Sequence, residues 1–137
     1  MEQRDYLLRE IEKISQIIHL LIGKLSSSNS SNINTTLSEI NDVLTEQLDI
    51  NLQELTDLDE TLILSKLTRL DDRIIEELIE LVISHIEHLT TLKQNTYNLQ
   101  QLTKRGLLLI QYLDDKSKNY SMNRNLLKNK LQNLLSQ

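Results

Sequence analysis

Residues 71–89 read DDRIIEELIELVISHIEHL, and their spacing decides the fold class. Ile74, Ile75, Leu78, Ile79, Val82, Ile83, Ile86 and Leu89 recur at steps of three and four, which is the period of one face of an α-helix. Asp71 and Asp72 open the segment, where the helix macrodipole favours negative charge. The spacing therefore predicts a strong amphipathic helix.

The same period extends outward in both directions. Leu7, Leu8, Ile11, Ile14, Ile17, Ile18, Leu21, Ile22 and Leu25 predict a helix of roughly six turns over residues 4–25. The run SSSNSSN at residues 26–32 reads as a flexible loop between helices. Thr36 and Glu39 form a candidate capping box for a second helix, whose stripe is Leu37, Ile40, Val43 or Leu44, and Leu48. The register breaks around Asp49, Ile50 and Asn51. Leu52, Leu55 and Leu58 then predict a short helical turn, and Thr56 or Asp57 offers a cap for a piece ending near Leu67. Beyond the central segment, Thr90 and Thr91, with Asn95 and Thr96, bracket a short connection. A long helix follows to about Asp114, with Leu99, Leu102, Leu109, Ile110 and Leu113 inward, and a last one from Ser121 carries Leu127, Leu131, Leu134 and Leu135. The expected fold is all-α, a stack of helical hairpins with five main helices and one or two short ones. The whole of residues 1–137 is expected to form one domain, with an N-terminal helix and loop (1–32), an acidic middle (33–70) and a C-terminal helical part (71–137).

Composition narrows the function classes. The 137 residues include thirty leucines and fifteen isoleucines, two valines and two glycines, and no Ala, Cys, Phe, Pro or Trp. Without cysteine there is no disulfide framework, thiolate metal site or cysteine nucleophile. Scarce glycine and absent proline remove the turn punctuation that a β-sandwich or barrel needs. The apolar tracts at residues 17–22 and 107–110 fall far short of the roughly 20 residues of a membrane span. The start at residues 1–6 is mixed in charge, and no uninterrupted apolar stretch resembles a signal peptide, so the expected location is cytoplasmic.

The net charge of −5 is unevenly spread. Residues 33–89 hold fourteen acids against Lys66, Arg69 and Arg73, a balance of −11. After Asp115 there are only cations, Lys116, Lys118, Arg124, Lys128 and Lys130.

Two stretches carry a family resemblance. RDYLLREIEK at residues 4–13, with DINLQEL at residues 49–55, resembles small uncharacterised bacterial helical proteins. GLLLIQYLDDKS at residues 106–117, followed by Tyr120, Ser121 and Arg124, is similar to the second helix of a tetratricopeptide-like repeat and the helix after it. The segment from Asp72 to Ser121 exceeds the roughly 34-residue standard period and lacks the Trp and Pro signatures, so the implied repeat is degenerate. The resemblance implies a helical-hairpin stack that binds other polypeptides, with Gly106 as the small residue at a helix crossing.

The chemistry-bearing residues read mostly as structural. His85 and His88 lie three apart with Glu87 beside them, but a third ligand at matching height is missing, so no metal is expected. His19 sits on a partly exposed helix face. The acids at residues 57–60 and 71–72 fit helix N-termini, not a calcium loop. Gly23 and Gly106 stand alone inside helices, far from any phosphate-cradling pattern. Gly106 and Ser84 are candidates for tight helix crossings. No catalytic residue and no cofactor is expected.

The expected function is a protein-binding or scaffolding module. Glu76, Glu77 and Glu80 would line an acidic groove between the helix at 72–89 and the helix at 96–114, favouring a basic peptide or helix. One alternative is a homodimer through the near-heptad series Leu7, Ile11, Ile14, Ile18, Leu21 and Leu25. The other is nucleic-acid contact by the basic C-terminal helix, against which its single aromatic, Tyr120, and the negative net charge both argue.

Overall fold

The structure, a computed structural model, describes residues 2–93 and 98–136, and these contain helices and no strand. In chain order they are α1 (Glu2–Ser26), α2 (Ile33–Leu48), α3 (Leu52–Asp57), α4 (Glu60–Leu67), α5 (Asp72–Leu92), α6 (Leu99–Lys116) and α7 (Met122–Leu135). Five are long and two are short, and the all-α class follows. Thr90 and Thr91, expected to open the connection to the next helix, lie inside α5, their hydroxyls donating to Ile86 O and Glu87 O, while Asn95 and Thr96 lie outside the described residues.

Side-chain caps set most of the helix starts. Asn51, Asp59, Asp71, Asn98 and Ser121 each accept a hydrogen bond from a backbone N–H in the first turn of α3, α4, α5, α6 and α7. The capping box at Thr36 is not formed. α2 begins at Ile33 behind Asn32, because an earlier start carries Ile33 fully into the core, and Thr36 is buried within the helix. Nor do Thr56 and Asp57 cap α4. They are the last residues of α3, where Thr56 Oγ1 donates to Leu52 O, and Asp59 takes the capping role. The loop before α2 is organised by Asn29, whose Oδ1 accepts from Ser31 N at 2.9 Å and Ser31 Oγ at 2.6 Å.

The cross-helix pairs fix the topology. Glu12 meets Arg73, Ser15 meets Glu77 and Ser28 meets His88, so α1 and α5 run parallel. Asp72 pairs with Lys116, and Val82 lies against Gly106, so α6 returns antiparallel to α5. Asp114 pairs with Arg124, and Gly106 faces Leu131, so α7 returns again along α6 and parallel to α5. α2 packs on α1, where Lys24 pairs with Glu39, and the α3–α4 corner is tied to α6 by Arg105, whose Nη2 donates to Leu58 O at 3.0 Å. One apolar cluster draws buried residues from all seven helices.

α5 lies at the centre. α1, α6 and α7 all pack against it, and it buries Leu81 and His85 as well as the whole face read from the periodicity. Burial of each such Leu or Ile stabilises by about 1.5–3 kcal/mol, so this helix carries much of the core energy. α1 is longer than the helix it follows. Its first two turns or so project past the start of α5, leaving Tyr6, Leu7 and Leu8 exposed. Three of the six residues of its near-heptad series, Ile18, Leu21 and Leu25, are instead buried in the chain's own core, so the full series cannot form a dimer seam.

The two glycines play opposite parts. A methyl group on Gly23 would meet nothing within 4 Å, whereas at Gly106 it would lie 3.0 Å from both Leu131 Cδ atoms and 3.6 Å from Val82 Cγ1. Gly106 thus lets α7 approach α6 closely. Both glycines are helical, so Gly23→Ala is expected to raise stability by about 0.5–1 kcal/mol in urea melts. Gly106→Ala is expected to lower it by about 1–2 kcal/mol, overpacking against the fully buried Leu131 outweighing the same propensity gain.

His85 is fully buried, and burial, with a smaller contribution from the nearby His88, lowers its pKa to about 4. Above pH 6.5 the ring is neutral in folded and unfolded chains alike. As pH falls from about 6.5 towards 4, the unfolded chain takes up a proton that the folded chain refuses, so stability falls and then levels off below pH 4. The loss amounts to about 3 kcal/mol. Urea melts at stepped pH should show His85→Leu losing less stability than the wild type across this window; identical pH profiles would contradict the assignment.

Candidate functional site

The three helices around α5 leave one line of it uncovered. Arg73, Glu76, Glu80, Ser84 and Glu87 follow one another at steps of three and four, so they share one side of the helix, and none of them is buried. α1 stands on one flank of this line and α7 on the other. Between them lie two clefts. One, of about 280 Å³, is bounded by His19 of α1, Asn123 of α7, and Arg73, Glu76, Glu77 and Glu80. The second, of about 380 Å³, is bounded by Ile22 of α1, Leu126, Leu127 and Lys130 of α7, and Ile83, Ser84 and Glu87. Both include Glu80 and Asn123, so they form one groove with α5 as its floor. From Arg73 to Glu87 it runs about 20 Å at the rise of an α-helix.

A polar cluster closes one end. Ser15 Oγ donates to Glu77 Oε1 at 2.6 Å, and Arg73 Nε donates to the same oxygen at 3.3 Å. Arg73 also reaches Ser15 Oγ at 3.3 Å and Glu12 Oε2 at 2.9 Å, and its hydrogen bond to Glu12 raises its pKa and holds it charged. His19 Nε2 stands 3.8 Å from Glu77 Oε1. Glu77 is only 8% exposed, and its Oε2 is buried without a hydrogen-bond partner. Glu76 accepts a hydrogen bond from Asn123 Nδ2, which joins floor to wall. The carboxylates of Glu80 and Glu87 make no ion pair or hydrogen bond among the described residues.

The groove is not where the sequence placed it. α5 and α6 pack directly together, with Gly106 against Val82, and no partner helix fits between them. Glu76, Glu77 and Glu80 face away from α6, towards α1 and α7, because the polar side of α5 is the side the core leaves uncovered. Ser84 lies on the groove floor and not at the crossing with α6, where Val82 meets Gly106.

The histidines diverge. His85 points into the core, while His88 Nε2 lies 2.9 Å from Ser28 O and 3.0 Å from Ser28 Oγ. A carbonyl oxygen only accepts, so this ring nitrogen carries a proton. Among the described residues no group of three or more His, Asp or Glu side chains could hold a metal ion. No helix there is long and apolar enough to cross a membrane. Two of the five C-terminal cations are already paired, Lys116 with Asp72 and Arg124 with Asp114, both at 2.8 Å.

Asn123 and Leu126 escape the sequence reading, and Ser15 and Arg73 have no site role in it. The polar steps along α5 are visible in the sequence and mark an uncovered line, but the walls come from helices distant in the chain. No protein-family model, curated protein or solved structure matches this chain.

Ser15→Ala removes the donor that Glu77 Oε1 holds in the interface of α1 and α5. The expected cost is about 1–3 kcal/mol, since a buried carboxylate loses a charge-assisted partner. Gln16→Ala on the exposed side should change stability by no more than about 0.5 kcal/mol. Equal urea midpoints for the two variants would show that Ser15 does not support Glu77.

Proposed function

We propose that the chain is a non-catalytic, cytoplasmic protein-binding module whose acidic groove takes a basic segment of another polypeptide. The observation that carries this reading is the groove itself: the uncovered line of a central helix, whose three carboxylates Glu76, Glu80 and Glu87, with the buried Glu77 beside them, stand against Arg73 and Lys130. The carboxylates of Glu80 and Glu87 have no partner among the described residues and are free to meet a ligand's cations. Charged grooves of one sign concentrate ligands of the other and speed their encounter.

The helix order supports the same reading. α1 and α5 run parallel, α6 returns along α5, and α7 returns once more, which is the alternation a degenerate tetratricopeptide-like stack requires. Such a stack presents helix faces, and ligands meet side chains there instead of a sheet edge.

The direct test uses a fluorescent amphipathic peptide built from Lys and Leu and a matched peptide built from Glu and Leu. The basic peptide should bind with anisotropy changes that weaken at least about tenfold between 50 mM and 500 mM salt. The combined substitution Glu76→Lys, Glu80→Lys and Glu87→Lys should abolish that binding while leaving the helical circular dichroism intact. Indifference to the sign of the peptide's charge, or to the triple substitution, would refute the groove as the binding surface.

A further inference from the structure

We propose that the groove's occupant is an amphipathic helix carrying one Lys or Arg and, about seven residues away on the same face, one Leu or Ile. This inference rests on the groove being a protein-binding site, and it specifies what that site recognises.

The groove consists of two chemically unlike clefts in series. In the first, Glu76, Glu77 and Glu80 gather around Arg73, which is already engaged by Glu12 and Glu77. The buried Glu77 Oε2 has no donor. An ammonium or guanidinium group entering this cleft meets the Glu80 carboxylate and brings a positive charge beside the under-satisfied Glu77. His19 is half-exposed on the opposite wall and leaves the approach open. In the second cleft, Ile22, Ile83 and Leu127 make an apolar bed, and Leu126 is 55% exposed at its rim. A branched aliphatic side chain fits that bed, with Glu87 and Lys130 forming a polar margin around it.

The separation of the clefts sets the spacing of the two anchors. Along α5 the first centres between Glu76 and Glu77 and the second between Ile83 and Ser84, about seven residues or 10 Å apart. Two turns of a helix laid along the groove cover the same distance and return to the same face. An extended peptide would find no backbone partners here, because floor and walls are all helices whose own N–H and C=O groups are bonded internally. A helix arrives with its backbone already satisfied.

The test uses Ala- and Gln-rich helical peptides of about 18 residues and identical composition, each with one Arg and one Leu, spaced by seven, five or four residues. The seven-residue peptide should bind the full chain at least about tenfold more tightly than the other two. Glu80→Gln should reduce the advantage conferred by Arg over Gln in the peptide, and Leu126→Ala the advantage conferred by Leu over Ala. Leu126 is exposed, so its truncation leaves the core intact. If the Lys and Leu peptide binds in the groove but spacing has no effect, the two-anchor recognition is wrong and the groove reading stands. If neither that peptide nor the seven-residue peptide binds, both are wrong.

Discussion

A helix that is apolar around most of its circumference cannot be covered by one neighbour. α5 buries residues on three sides, and the chain meets that demand with α1, α6 and α7. Everything else follows from this enclosure. α2 packs on α1 and α3 on α6, and one apolar cluster draws residues from all of the helices. The groove is the remainder: the strip of α5 whose side chains are polar and which no helix can cover without desolvating carboxylates. Absent alanine sharpens the effect. With Leu and Ile at nearly every interface, helices are held apart by bulky side chains, and Gly106 is where a closer approach was obtained.

Apolar stripes alone define a poor register, since sliding one Leu- and Ile-lined helix along another by a turn preserves most contacts. Polar pairs across the α1–α5 interface remove that degeneracy. Ser15 with Glu77 and Glu12 with Arg73 fix one end, and His88 with Ser28 fixes the other. A shift of one turn would take Ser15 away from the buried Glu77 carboxylate and leave it Arg73 of its own helix as donor, a loss of a charge-assisted hydrogen bond in a buried site. The pairs matter for selecting one arrangement more than for their net strength, since the outer members, Glu12 and Arg73, are half-exposed and screened by solvent.

The sequence was readable where a local rule decides the outcome. The period of three and four marked every long helix, and Asp71 and Ser121 announced the starts of α5 and α7. It misled where a tertiary demand outweighed a local one. Thr36 offered a good cap, but burial of Ile33 moved the start of α2 forward. The acids at Glu76, Glu77 and Glu80 were legible as a group, yet the neighbour they would face was not. Periodicity says which side of a helix is covered and is silent about what covers it, and the obvious candidate, the next helix along, turned out to pack on the apolar side. The burial of Glu77 depends on Ser15, far away in sequence, and no local pattern records that pairing.

The overhang of α1 has a consequence for how its helix is maintained. A free peptide shorter than about 12–15 residues rarely holds a helix in water, because nucleation is costly while extension is cheap. In the first turns Tyr6, Leu7 and Leu8 are exposed, so little burial holds them. Their helicity is borrowed: the docked part of α1, pinned at Ser15 and Ser28, serves as a permanent nucleus from which they propagate. Cut free near Ile11 they would be coil, and within the intact chain their order rises and falls with the docking of α1 on α5.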